Sequence, residues 1–535
     1  MIKTKWKFYL MLVCCAFVIL SGCTSKKETT SQKTTEKSIK DELVYASTKD
    51  IRDINPHLYA GEMAAQNMVF EPLVKNTEDG IKPALAEKWD ISPDGLVYTF
   101  HLRKGVTFSD GAPFNAEAVK LNFDALLGNI KRHSWINLIL EIADTKVVDE
   151  NTFQLVLKHP YYPTLTELGL TRPFRMISPN SFIDGTTANG VQSYAGTGPY
   201  KLTEHKKDQY ALFTANENYW GDKPKIQSVK WKVMPDAQTI LIAMEKGEID
   251  LLFGSDGDVI DNDSFQALKD KGTYKTIMSD PIASRAILLN AHAQFTNDKK
   301  VREAFQYAIN KDAVANGILN GTEKTADTLM AKNLPYANVG LKGIKYNPDK
   351  AKKILTEDGW ELSKDGYRYK DGKKLEVTIY YNSDNAQERT ISESMLNDLK
   401  EIGVSLKIAG EEKQAFLDRQ KTGEFDMMYS LSWGLPYDPH TFVSSWRIPA
   451  TGDYQTQVGL EKKEWLDNTI TDLMIEQSEE KRKAMYKDIL SYIHEEGVYI
   501  PLTYSVTKVL YTKDLKGVGF NVSQYEIPFE KMSFE

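Results

Sequence analysis

Histidines come first among the residues that could do chemistry, because a neutral imidazole serves as metal ligand and as general base. They stand at His57, His101, His133, His159, His205, His292, His440 and His494. No two are three or four residues apart, so no helical face presents a metal-binding pair. Two are notable for their neighbours. His133 adjoins Arg132 and Trp135, and His440 follows Trp433-Gly434-Leu435-Pro436-Tyr437. No side chain is expected to ligate a metal directly, and His440 is the nearest to a candidate. The cysteines are Cys14, Cys15 and Cys23. Lys3, Lys5 and Lys7, the apolar run Phe8 to Leu20 and then Ser21-Gly22-Cys23 read as a lipoprotein export signal, cleaved before Cys23 and lipidated on it. The run is short against the roughly 20 apolar residues a membrane span needs; an uncleaved anchor helix is the other reading. Past Cys23 there is no thiol, which excludes disulfides, cysteine-based metal centres and thiol nucleophiles. GxSxG, HExxH and GxxxxGK[ST] are all missing, so no catalytic residue is assigned and the chain reads as a non-enzyme. Gly196-Thr197-Gly198-Pro199 lacks the third glycine of a dinucleotide loop and reads as a turn.

The elements that would position any site are legible from composition and period. Loss of residues 1–22 removes three lysines and no acids, moving the formal net charge from −7 to −10. An acidic chain does not suit a nucleic-acid partner. Residues 24–40 are Ser, Thr, Lys, Glu and Gln with only Ile39 strongly apolar, and read as a tether behind Cys23. From Asp41 to Glu535 the composition is globular and long enough for more than one domain. The run Val97–Leu102 reads as a strand. Val229, Trp231 and Val233 alternate as in a half-buried strand, and Ala237, Ile240, Leu241 and Met244 follow at helical spacing, with Asp236 as N-cap and Gly247 beyond the end. Val301, Ala304, Phe305 and Ala308 mark another helix. The strand Leu375, Val377, Ile379, the helix Ile391, Met395, Leu396, Leu399 and the strand Val404, Leu406, Ile408 make a βαβ unit, hence a parallel sheet covered by helices. A strand from Phe425 to Ser430 then feeds the Trp433–Tyr437 loop, and loops at the carboxyl ends of such strands are where open α/β folds place ligands.

Several stretches together resemble a known family. They are Leu85-Ala86-Glu87-Lys88-Trp89, Leu102-Arg103-Lys104-Gly105-Val106-Thr107-Phe108, Asn216-Glu217-Asn218-Tyr219-Trp220-Gly221, Lys246-Gly247-Glu248-Ile249-Asp250, Val301-Arg302-Glu303-Ala304-Phe305 and Ala308-Ile309-Asn310-Lys311. They resemble the peptide/nickel group of extracellular solute-binding proteins of ABC importers. Asn55-Pro56-His57-Leu58-Tyr59, Lys131–Trp135, Thr171–Arg175 and Trp433–His440 are similar to its nickel-binding branch. The resemblance implies a two-lobed α/β fold of the type II periplasmic-binding-protein kind with a cleft between the lobes. It assigns 1–22 to a signal, 23–40 to the lipidated tether, 41–281 plus 506–535 to one lobe and 282–505 to the other. It implies a metal held as a small organic chelate by arginines, aromatics and a methionine, which match Arg132, Arg172, Tyr59, Trp135, Trp433, Tyr437 and Met63. Arg447 and Thr451 complete the set. Thr451 stands where a relative's metal-ligating histidine would be expected, so the chelator would supply the strong donors, as an opine-type metallophore or a histidine complex can. Nickel is the expected metal, with cobalt and zinc open. No cofactor is expected. The expected partners are ABC permease subunits, the chelate, and the cell membrane through the lipid, with the chain itself a monomer on the extracytoplasmic face. The alternative is an oligopeptide-binding protein of the same fold.

Overall fold

The computed structural model describes residues 40–255 and 260–535. Cys23, the leader and all but the last residue of the tether lie outside the described residues. Two mixed sheets carry the architecture. The first runs Lys275–Met278, Thr507–Tyr511, Leu251–Ser255, Glu42–Ser47, Ser228–Val233, Tyr210–Ala215, Tyr200–Lys206. Its middle strand, Glu42–Ser47, is parallel to both neighbours. The second runs Lys324–Thr325, Tyr499–Ser505, Ala283–Leu289, Met427–Leu431, Glu376–Asn382, Ser405–Glu411. A separate antiparallel sheet of four strands, Ala86–Ile91, Val97–Leu102, Thr152–Leu157 and Ile142–Asp149, is covered by the helix Ala116–Gly128.

The local readings from sequence have physical counterparts. Val97–Leu102 buries Tyr98, Phe100 and Leu102 and leaves the alternate residues half-buried, a cleaner alternation than the residue types suggest. Asp236 accepts from Thr239 N and starts the helix Ala237–Glu245, and Gly247 takes φ +74° behind it. Glu376–Asn382 pairs in parallel with Ser405–Glu411 across the helix Ala386–Glu401, the predicted βαβ unit. Glu376–Asn382 is parallel to Met427–Leu431 on its other side as well. Ala283–Leu289 pairs antiparallel on both sides, with Met427–Leu431 and with Tyr499–Ser505.

The chain crosses from the first sheet to the second between Met278 and Ala283, and returns between Ser505 and Thr507. The two crossing segments are bonded to each other. Ser279 N donates to Thr507 O at 3.0 Å and Ile282 N to Ser505 O at 2.9 Å. Each sheet has its own core: Leu43, Phe213, Trp231 and Val509 in the first, Ile287, Phe305, Val377 and Met395 in the second. A further apolar cluster joins Phe100, Phe123 and Phe153 to Met428, Phe442 and Trp446. It brings the Trp433–Tyr437 loop of the second sheet against the four-stranded sheet.

Candidate functional site

Tyr59 is the hub of the site. It comes from the segment 51–62 that follows the first strand. Glu62 N donates to Ile51 O at 3.0 Å, closing this segment into a loop, and Gln66 Nε2 holds Asn55 O at 2.9 Å. The closure depends on Gly61, where a Cβ would come within 2.3 Å of Asp53 O. The helix Met63–Val69 begins two residues later and places Met63 at its first position.

Over the Tyr59 ring sit two guanidiniums, Arg172 at 5.3 Å and Arg132 at 5.6 Å from its centre. Arg172 Nη1 donates to Tyr59 O (3.3 Å) and Gly61 O (3.0 Å), so its hydrogen bonds go to backbone carbonyls. Among the described residues neither guanidinium is in an ion pair. Burial pulls Arg172 below the ordinary guanidinium value, against the opposing pull of Tyr437, Tyr59 and Glu62; an arginine stays charged through such a shift.

Trp135 meets Tyr59 edge-on at 5.7 Å. It also meets Trp433 at 6.0 Å and lies nearly parallel to Tyr437 at 6.5 Å. Trp433 and Tyr437 come from the loop after the second-sheet strand Met427–Leu431, so the aromatic wall joins that loop to the segment around Trp135. The Tyr437 hydroxyl points at Met63 Sδ, 3.9 Å away. Asp438 organises that loop. Its carboxylate accepts from Ser432 Oγ (2.6 Å), Gly434 N (2.9 Å) and Trp433 N (3.2 Å), and burial pushes it up to about 6. Gly434 turns there with φ +72°.

Seven of the sequence-derived residues therefore come together: Tyr59, Met63, Arg132, Trp135, Arg172, Trp433 and Tyr437. Arg447, Thr451 and His440 are placed otherwise. Arg447 Nη1 donates to Thr471 Oγ1 (2.7 Å) and Nη2 to Ser444 Oγ (2.9 Å). Ser444 in turn receives Asn137. Thr451 caps the helix Gly452–Gln457, accepting from Tyr454 N at 3.1 Å, while its hydroxyl donates to Ile448 O at 3.0 Å. His440 Nδ1 is taken up by Tyr486 OH (2.8 Å) and Arg482 Nη2 (3.0 Å), and burial with the Arg482 charge lowers it to about 3. It lines a cavity of about 770 Å³ behind the loop, beside the crossing segments. Among the described residues no three of His, Cys, Asp and Glu gather as a metal-binding group.

Three contributors were not selected from sequence. His133 pairs with the Tyr59 hydroxyl, and its position between Arg132 and Trp135 was the available signal. Asp438 could have been suspected as the acid before Pro439 in the turn that holds Gly434 and Pro436. Tyr525, 6.0 Å from the Tyr437 ring, arrives from the C-terminal segment with no local signal at all.

Two sheets exchanged through a pair of adjacent crossing segments make this the two-lobed fold of type II periplasmic binding proteins. The chain belongs to the bacterial extracellular solute-binding proteins, family 5, whose middle region matches residues 80–454. That family is one of solute-binding proteins, not enzymes. The chain is 42% identical over 496 residues to the nickel-binding periplasmic protein of Escherichia coli K12, covering 92% of this chain and 94% of that one. Among solved structures it is similar to NikA from Brucella suis in complex with Fe(III)-EDTA, at TM-score 0.91 and 42% identity, covering 92% of this chain and 100% of that one. It is also similar to NikZ from Campylobacter jejuni in complex with Ni(L-His), at TM-score 0.78 and 27% identity, covering 92% and 99%.

Proposed function

We propose that this protein captures nickel as a carboxylate-bearing chelate between its lobes and delivers it to an ABC permease. The observation that carries this reading is a pair of guanidiniums, Arg132 and Arg172, over one ring and without carboxylate partners among the described residues. A planar guanidinium fork takes a carboxylate bidentately. The indoles of Trp135 and Trp433 and the Tyr437 ring supply flat apolar walls for a neutral or weakly charged metal complex. The names of the relatives support the same reading, since they hold or bind nickel and metal chelates. The working lobes are 41–281 with 506–535, and 282–505, a division the separate sheets favour. Cys23 carries the lipid that holds the protein at the membrane, and the metal's strong donors come from the chelator, such as histidine or an opine.

Titration calorimetry with bare nickel, with nickel–histidine and with nickel plus a tricarboxylate tests this. Chelated nickel should bind far more tightly than bare nickel. Arg172→Ala should cost about 1.5–3 kcal/mol, a tenfold to hundredfold loss. Equal affinity for bare and chelated nickel would overturn the reading, as would peptides copurifying in native mass spectrometry.

A further inference from the structure

We infer that His133 is a positioning residue for the cargo site: by pairing with the Tyr59 hydroxyl it fixes the ring on which both guanidiniums rest. This rests on the reading that the Tyr59 cluster receives the chelate. His133 Nδ1 and Tyr59 OH are 2.7 Å apart, and the two rings meet at 5.7 Å. His133 is 1% exposed and Tyr59 half-buried, so the imidazole side of the pair is shielded from water. A pair of this length with a buried acceptor is directional, because water has little access to the imidazole to take the phenol's place. The Tyr59 ring is reached by Arg172, Arg132 and Trp135. Rotation of that ring would move all three contacts at once, and the hydroxyl lies at the end of the ring farthest from the backbone, where a tether has most leverage.

The protonation states suit the pairing. Burial, and next the Arg132 charge, lower His133 to about 4. Burial raises the Tyr59 phenol to about 12, with Trp135 and the two arginines opposing. At neutral pH a neutral phenol faces a neutral imidazole. On this assignment the phenol O–H donates to Nδ1 and the ring proton sits on Nε2. His133 thus acts on the chelate through Tyr59, without touching it.

The test has one arm that needs no cargo and one that does. Nitrogen-15 NMR of the ligand-free protein should show His133 with its proton on Nε2 and an accepting Nδ1, and Tyr59→Phe should abolish the accepting signature. In calorimetry with nickel–histidine, His133→Leu and Tyr59→Phe should each lose about three- to tenfold in affinity. The double variant should lose no more than either, while His133→Asn, whose amide can meet the phenol, should stay close to wild type. Additive losses overturn the proposal, as does an Asn variant as weak as Leu, or a His133 nitrogen spectrum that Tyr59→Phe leaves unchanged. Failure of the wild-type protein to bind nickel–histidine would instead overturn the nickel-chelate reading, leaving the NMR arm to decide the pairing.

Discussion

At the scale of single residues, the site separates side chains offered outward from side chains consumed by the fold. Among the described residues neither Arg132 nor Arg172 has an acidic partner; Arg132 is exposed and Arg172 half-buried, and a half-buried guanidinium left that way suits an anion to come. Thr451 is the opposite case. Its hydroxyl satisfies Tyr454 N, one of the donors left unpaired at a helix start, and it cannot do so while facing a ligand. Thr451→Ala should therefore lower stability by about 0.5–2 kcal/mol, the usual cost of a lost N-cap. Chelate affinity should stay unchanged. Denaturant unfolding together with calorimetry reads both, and a loss of affinity at unchanged stability would place Thr451 in the site.

At the scale of elements, one short helix beside the site is bonded to two others, Thr164–Leu168 and Asn137–Glu141. Thr441 and Ser444, one turn apart on His440–Ser445, both reach across, to Glu167 Oε1 (3.3 Å) and to Asn137. Glu167 also accepts from Leu138 N (3.0 Å) and Tyr161 OH (2.8 Å), yet burial pushes it up to about 7. The unfolded value is about 4.3, so the folded chain retains a proton there that the unfolded chain gives up. This group stabilises the fold at low pH, and its contribution is lost as pH rises through about 7. His57 and His440, lowered to about 3, act the other way: their contribution is present above about 6.5 and lost as pH falls towards 3. Glu167→Gln removes one titration without touching the histidines. Urea unfolding at pH 6 and pH 8 should show the variant losing less stability than wild type between them, and identical losses would mean that Glu167 is ionised in the fold throughout.

At the scale of the whole molecule, the aromatic wall joins distant parts of the chain: Trp135 precedes the helix Asn137–Glu141, while Trp433 and Tyr437 follow the second-sheet strand Met427–Leu431. Between the two mixed sheets run two short segments bonded to each other, a natural place for rotation. A chelate touching both lobes favours the closed arrangement by its differential affinity. Small-angle scattering should show a smaller radius of gyration with nickel–histidine than without, and an unchanged profile at saturation would count against closure. Cys23→Ser should release a folded protein from the membrane; retention of that variant would contradict lipid anchoring.

Much of this protein is written locally. The Asp236 cap and the βαβ unit around Ala386–Glu401 follow from periods of 3.6 and 2.0 and from side chains that act within a few residues, whereas the buried face of Val97–Leu102 is set by packing that its residue types do not show. The family motifs named seven residues that do come together. What the chain could not disclose locally is which polar groups remain unspent. Arg447 and Thr451 lie in the same stretch of sequence as the aromatic loop, but one ties Ser444 to Thr471 and the other caps a helix. The pairing of His133 with Tyr59 joins residues 74 apart, and Tyr525 reaches Tyr437 from the far end of the chain. Hydrogen bonds and ring contacts saturate, so a side chain's availability depends on every neighbour the fold brings to it. Only the tertiary structure decides that.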